Sequence, residues 1–87
     1  MMSTVQEVKD IIERAANMPW GPACSAELAR AVVLVDSLEG EEELRIETYM
    51  QLATAYQQGN EEWKALAPTA WLITKYDDNP SAFDADQ

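Results

Sequence analysis

The chain has 87 residues, of which 47% are hydrophobic, which suits one folded domain and is too apolar for a disordered segment. Its 16 acidic and 6 basic residues give a formal charge of −10. A surface so negative repels phosphate backbones and anionic bilayers, so neither nucleic acid nor membrane is an expected partner.

The first helix is expected over residues 4–17. Ser3 and Thr4 each have a Gln or Glu three positions on, Gln6 and Glu7, which is the capping-box pattern. Val5, Val8, Ile12 and Ala15 fall at spacings of three, four and three, and Ile11 and Ala16 widen this into a core-facing stripe. Met18-Pro19-Trp20-Gly21-Pro22 ends it, because proline and glycine cannot carry the helix on. A second helix is expected over residues 23–38, capped by Gly21 with Pro22 in the first turn, or by Ser25 if shorter. Cys24, Leu28, Ala31, Val35 and Leu38 form its stripe, and the added Val32, Val33 and Leu34 make it the candidate for deepest burial. The run Ala31–Val35 also fits a strand, but the helical period continues on both sides of it.

Gly40 stops that helix, and a third follows over residues 41–58. Glu41, Glu42 and Glu43 sit in its first turn, where the helix dipole favours anions, and Glu41 is spaced to pair with Arg45. Its expected apolar face is Ile46, Tyr49, Met50, Leu52, Ala53 and Tyr56. Gly59 ends it, and Asn60 is placed to cap a fourth helix over residues 61–76. Trp63, Leu66, Ala67, Ala70, Trp71 and Ile73 are its candidate core residues. Pro68 inside it predicts a kink near 64–68, because proline cannot donate to the carbonyl of Lys64. Residues 1–76 are therefore expected to form a single all-α domain, and residues 77–87 a C-terminal tail in which Phe83 is the one large apolar group. Short connections predict four antiparallel helices arranged as two hairpins, either a repeat pair or a small four-helix bundle.

Catalytic and metal-binding patterns are scarce. With no histidine there is no His-dependent triad and no His-ligated metal, and a single cysteine forms neither a zinc site nor an intramolecular disulfide. Cys24 reads as a small core residue. No phosphate-cradling glycine loop is present. Asp77, Asn79 and Ser81 have calcium-loop spacing, but Ala82 stands where the tight turn needs glycine. No enzyme activity, cofactor or metal is expected. The N-terminus lacks the basic flank and apolar run of a secretory signal, and no segment approaches a membrane span, so a cytoplasmic location is expected.

Tyr49-x-x-Leu52-Ala53-x-x-Tyr56, followed by Ala65, resembles the tetratricopeptide repeat, a helix–turn–helix unit used for protein contact. Tyr49 stands where that family keeps Trp, and Ala53 where it keeps Gly. Thr69 and Leu72 depart from the aromatic and Ala that follow in the family. Val8, Ile11, Ile12, Ala15 and Cys24 echo the same pattern, at a spacing about two helical turns longer than the family period of roughly 34 residues. The resemblance implies a binding groove on the outward faces of the first and third helices. Carried across residue by residue, that groove is Gln6, Lys9, Glu13, Glu47, Met50, Thr54 and Gln57. Glu13 stands where a carboxylate clamp would need Asn. The expected function is a protein–protein interaction module that binds a peptide or protein segment. The alternative is an acidic bundle that inhibits or neutralises a basic protein. Self-association is a further expectation, from the apolar surplus of a short chain.

Overall fold

In the computed structural model, residues 4–78 and Pro80 are described. Ser3, Asn79, Ser81 and Phe83, to which the sequence assigns capping, calcium-loop and tail roles, lie outside them. The fold is all-α: α1 (Thr4–Ala16), α2 (Pro22–Asp36), α3 (Glu42–Gln58), a 3₁₀ turn (Glu62–Ala65) and α4 (Leu66–Asp78). No strand occurs among the described residues, and Ala31–Val35 is helical. α4 runs past the expected boundary at Tyr76 to Asp78.

Each helix packs on the next in sequence, and α3 also touches α1. α4 is held mainly by α3 and the 3₁₀ turn. Two apolar clusters fill the space between α1, α2 and α3. One joins Val8, Ile11, Ala31, Val35 and Leu44; the other joins Ala15, Cys24, Leu28, Leu52 and Ala55. The expected stripe of α2 is the observed one from Cys24 to Val35, because a strict four-three-four spacing keeps those side chains on one face. Gly21 is the residue before this helix and Pro22 its first, so the longer of the two expected starts is the observed one. Ser25, the other candidate cap, is buried instead, and its hydroxyl donates to Glu61 Oε1 at 2.9 Å. Val33 points outward, so α2 is not the most buried element.

That place belongs to α3. Leu44, Thr48, Leu52 and Ala55 lie on one side of it, and Leu44, Leu52 and Ala55 join the two clusters. At 100° per residue, Ile46, Tyr49 and Ala53 fall on the opposite arc. There Tyr49 stacks on Trp71 of α4, ring centroids 3.9 Å apart and planes 6° from parallel. Thr48 is a polar residue in full burial, and its hydroxyl donates to the Leu44 carbonyl at 2.7 Å within the same helix. Met50, expected in the core, is exposed.

Charged side chains fasten the helix ends. Arg45 donates to the carbonyls of Val35, at 3.1 Å, and Leu38, where α2 ends; the Val35 carbonyl also accepts from Leu38 N–H at 3.1 Å. It also pairs with Asp36 at 3.4 Å and Glu42 at 3.0 Å, rather than with Glu41. A cation there also complements the negative end of the α2 dipole.

The turn after α3 divides its roles differently from the sequence expectation. Asn60, not glycine, takes the left-handed conformation (φ 63°), and Glu61 N–H donates to the Tyr56 carbonyl at 2.7 Å, a Schellman closure. Gly59 is the C-cap of α3, as expected, and Asn60 closes the turn after it instead of capping the next helix, a place taken by Glu61. Gly59 meets a different demand. A Cβ there would sit 3.1 Å from Gly21 N and 2.9 Å from the Ala55 carbonyl oxygen, so the two interhelical turns touch backbone to backbone.

The irregularity attributed to Pro68 is present, with a different form. The segment begins as the 3₁₀ turn and changes to α-helix at Leu66. Pro68 is then the third residue of α4, in the first turn, where an N–H would have no intrahelical partner.

Gly59→Ala is expected to lower stability by about 1–3 kcal/mol, because rigid backbone at Gly21 has to move. Arg45→Met is expected to cost about 1–3 kcal/mol by uncapping α2. Urea unfolding followed by circular dichroism checks both.

Candidate protein-binding surface

α1 buries Val8, Ile11 and Ala15, which leaves Gln6, Lys9 and Glu13 on its solvent side at spacings of three and four. On α3, Glu47, Met50, Thr54 and Gln57 occupy the arc between its two buried faces, and all four are exposed. The seven residues assigned to a groove from sequence are thus all on the surface.

The structure brings together only some of them. Lys9 and Glu13 of α1 meet Glu47 of α3 over Ile12 in one cleft of about 280 Å³. Met50 does not join that cleft. It lines a second, apolar groove of about 300 Å³ with Thr69, Leu72, Ile73 and Tyr76 of α4. Gln6, Thr54 and Gln57 line neither; Gln6 donates to Asp10 at 2.8 Å along its own helix. The outward arc of α3 is therefore a ridge with Glu47 on one flank and Met50 on the other.

The apolar side chains of α4 are the main feature that the sequence reading missed. Trp63, Leu66 and Ile73, assigned to the core, are 72%, 73% and 59% exposed, and Ala67 and Ala70 are exposed too. The face turned to α3 is instead Pro68, Trp71 and Lys75: Pro68 is buried, Trp71 stacks on Tyr49, and Lys75 pairs with Glu42 at 3.1 Å. A signal for this was available. Pro68, Trp71 and Lys75 are spaced three and four apart and form a stripe of their own, so the second apolar stripe through Leu66, Ala70 and Ile73 had no helix left to cover it.

The groups with shifted acidity serve the framework. Burial, reinforced by the hydrogen bond to Asp36, pushes the Tyr49 hydroxyl up to about 12. Burial raises the Cys24 thiol, whose Sγ is 3.5 Å from the Ala15 carbonyl. Hydrogen bonds from Arg30 and Arg14 lower Glu27, and those from Lys64 and Ser25 lower Glu61. The hydrogen bond from Lys75 lowers Glu42. None of these groups lines either cleft. Among the described residues, no cluster of three or more potential ligands is placed to hold a metal ion, and no helix is long and apolar enough to cross a membrane.

No known family model matches the chain, and neither a curated protein nor a solved structure shows significant similarity to it.

Because Glu42 is held below its ordinary value of 4.5, the stability it lends is present above that pH and is lost as the pH falls through the lowered value. We expect the near-ultraviolet circular dichroism of the Tyr49–Trp71 stack to weaken over that acid range. Glu42→Gln should remove the step.

Proposed function

We propose that this chain is a non-enzymatic protein–protein interaction module of tetratricopeptide-like helical type, which holds a peptide or protein segment against the outward faces of α1 and α3. The observation that carries this reading is the convergence of Lys9 and Glu13 with Glu47 over Ile12, since two helices distant in sequence contribute to one cleft. The serial packing of the helices supports it further. In a closed four-helix bundle the last helix returns against the first, whereas here α4 rests chiefly on α3 and the turn before it. The mixed lining suits a segment with polar groups over a small apolar floor.

A second reading, an acidic bundle that neutralises a basic protein, has its own support. Lys9 is the one cation without an ion pair among the described residues, while Glu39, Glu41, Glu43 and Glu62 are unpaired acids.

The test is affinity capture followed by measurement of the recovered partner against Lys9→Glu and Glu47→Lys. The module reading expects a loss of about tenfold or more from either substitution, with the melting temperature unchanged, and modest sensitivity to salt. Unchanged affinity for both would sink it. Affinity that collapses at moderate salt and ignores single substitutions would favour the neutraliser.

A further inference from the structure

We infer that the apolar groove between α3 and α4 receives an amphipathic helix from a partner protein, one whose apolar face is bordered by lysine and arginine. The inference rests on the interaction-module reading and adds a second surface to it, with a defined kind of occupant.

Three observations lead there. First, no described residue covers the groove: Met50 and Ile73 line it and are exposed, and Leu66, two helical turns before Ile73 on the same face of α4, is exposed as well. Contiguous exposed apolar surface of this kind marks a contact site. Second, its walls are helix side chains, with Thr69 and Tyr76 supplying the polar atoms. An extended peptide laid there would leave most of its backbone N–H and C=O groups without partners. A helix pairs its own backbone and loses nothing on an apolar floor. From Leu66 to Tyr76, α4 rises about 15 Å, room for roughly three turns of such a helix.

Third, the charges around the groove select the sign of its occupant. Glu43 lies two helical turns from Met50 on the exposed arc of α3, and Asp77 and Asp78 close α4 just beyond Tyr76. All three are exposed, and none makes an ion pair among the described residues. Lys75, the nearest cation in sequence, is turned toward Glu42. A second copy of the chain would bring another apolar helix but also another −10 charge, with the same acids meeting across the seam. The segment after Pro80 carries Phe83 but also Asp84 and Asp86. A basic-bordered helix meets both requirements at once.

Two synthetic probes of about 18 residues, an amphipathic leucine–lysine helix and its leucine–glutamate counterpart, test this. Binding is followed by tryptophan fluorescence and by methyl shifts of Leu66, Leu72 and Ile73. The expected result is saturable binding of the leucine–lysine helix with shifts on those methyls and no binding of the acidic one. Ile73→Glu and Leu66→Glu should each weaken it about tenfold or more, while the fold is retained because both side chains are exposed. Lys9→Glu, in the other cleft, should leave it unchanged. Absence of binding, or binding that ignores Ile73→Glu and Leu66→Glu, overturns the inference. So does sedimentation showing a dimer that Ile73→Glu abolishes, which makes a second copy the occupant. Binding that appears only after truncation beyond Pro80 overturns it as well, in favour of the chain's own tail. The two readings fail separately: a captured partner that is sensitive to Lys9→Glu and indifferent to Ile73→Glu leaves the module standing and removes the helix groove.

Discussion

Helix α3 has to satisfy two partners at once, and the arrangement of the rest follows from how it does so. On one side Leu44, Leu52 and Ala55 complete the clusters begun by α1 and α2, with Thr48 fully buried on the same face. On the other, Tyr49 lies flat against Trp71. Small residues make this double contact feasible, because Ala53 and Ala55 are buried on a helix approached from both sides. What remains for solvent is one arc, and that arc is the ridge between the two clefts. The shape of the candidate binding surface is thus a by-product of how the core is built.

Polar groups then fix where the helices lie along one another, which apolar packing by itself leaves loosely defined. Tyr49 donates to Asp36, Asp36 pairs with Arg45, Arg45 with Glu42, Glu42 with Lys75, and Lys75 sits over the Trp71 ring that stacks on Tyr49. The circuit touches α2, α3 and α4. Individual exposed pairs of this kind contribute little, about 0–1 kcal/mol. Arg45 differs because it is mostly buried and also donates to the Val35 and Leu38 carbonyls at the end of α2. At the other end of the molecule Ser25, Glu61 and Lys64 do the corresponding work, beside the contact of Gly21 with Gly59.

Much of this was legible in the amino-acid sequence where one period governs one face. Val8, Ile11 and Ala15 in α1, and Cys24, Leu28, Ala31 and Val35 in α2, are buried as their spacing requires. A helix with two buried faces, as in α3, exceeds what one period encodes, since a single period specifies a single stripe. On α4, apolar residues lie outside: Trp63, Leu66 and Ile73 carry the hydrophobicity of core positions but are exposed, so hydrophobicity does not by itself specify burial there. Turn chemistry was half legible: Gly59 marks the end of α3, but Asn60, read as the cap of the next helix, closes the turn instead, and contact with Gly21 decides which of the two is glycine. At the surface, Lys9, Glu13 and Glu47 could be placed on facing helices. That Met50 belongs to a different cleft depends on where α4 lies, which no local pattern encodes.

The serial order of packing also bears on how quickly the chain reaches its fold. Every large interface joins elements adjacent along the backbone, with connections of a few residues, so most native contacts form without closing a long loop. Low contact order of this kind belongs to helical proteins that fold within microseconds to milliseconds. α4, which rests mainly on α3 and the 3₁₀ turn, through Pro68, the Tyr49–Trp71 stack and the Lys75–Glu42 pair among other contacts, has the least to gain from early docking. It is therefore the segment whose amide protons should exchange through partial opening, while those of α2 and α3 wait for the whole chain to unfold.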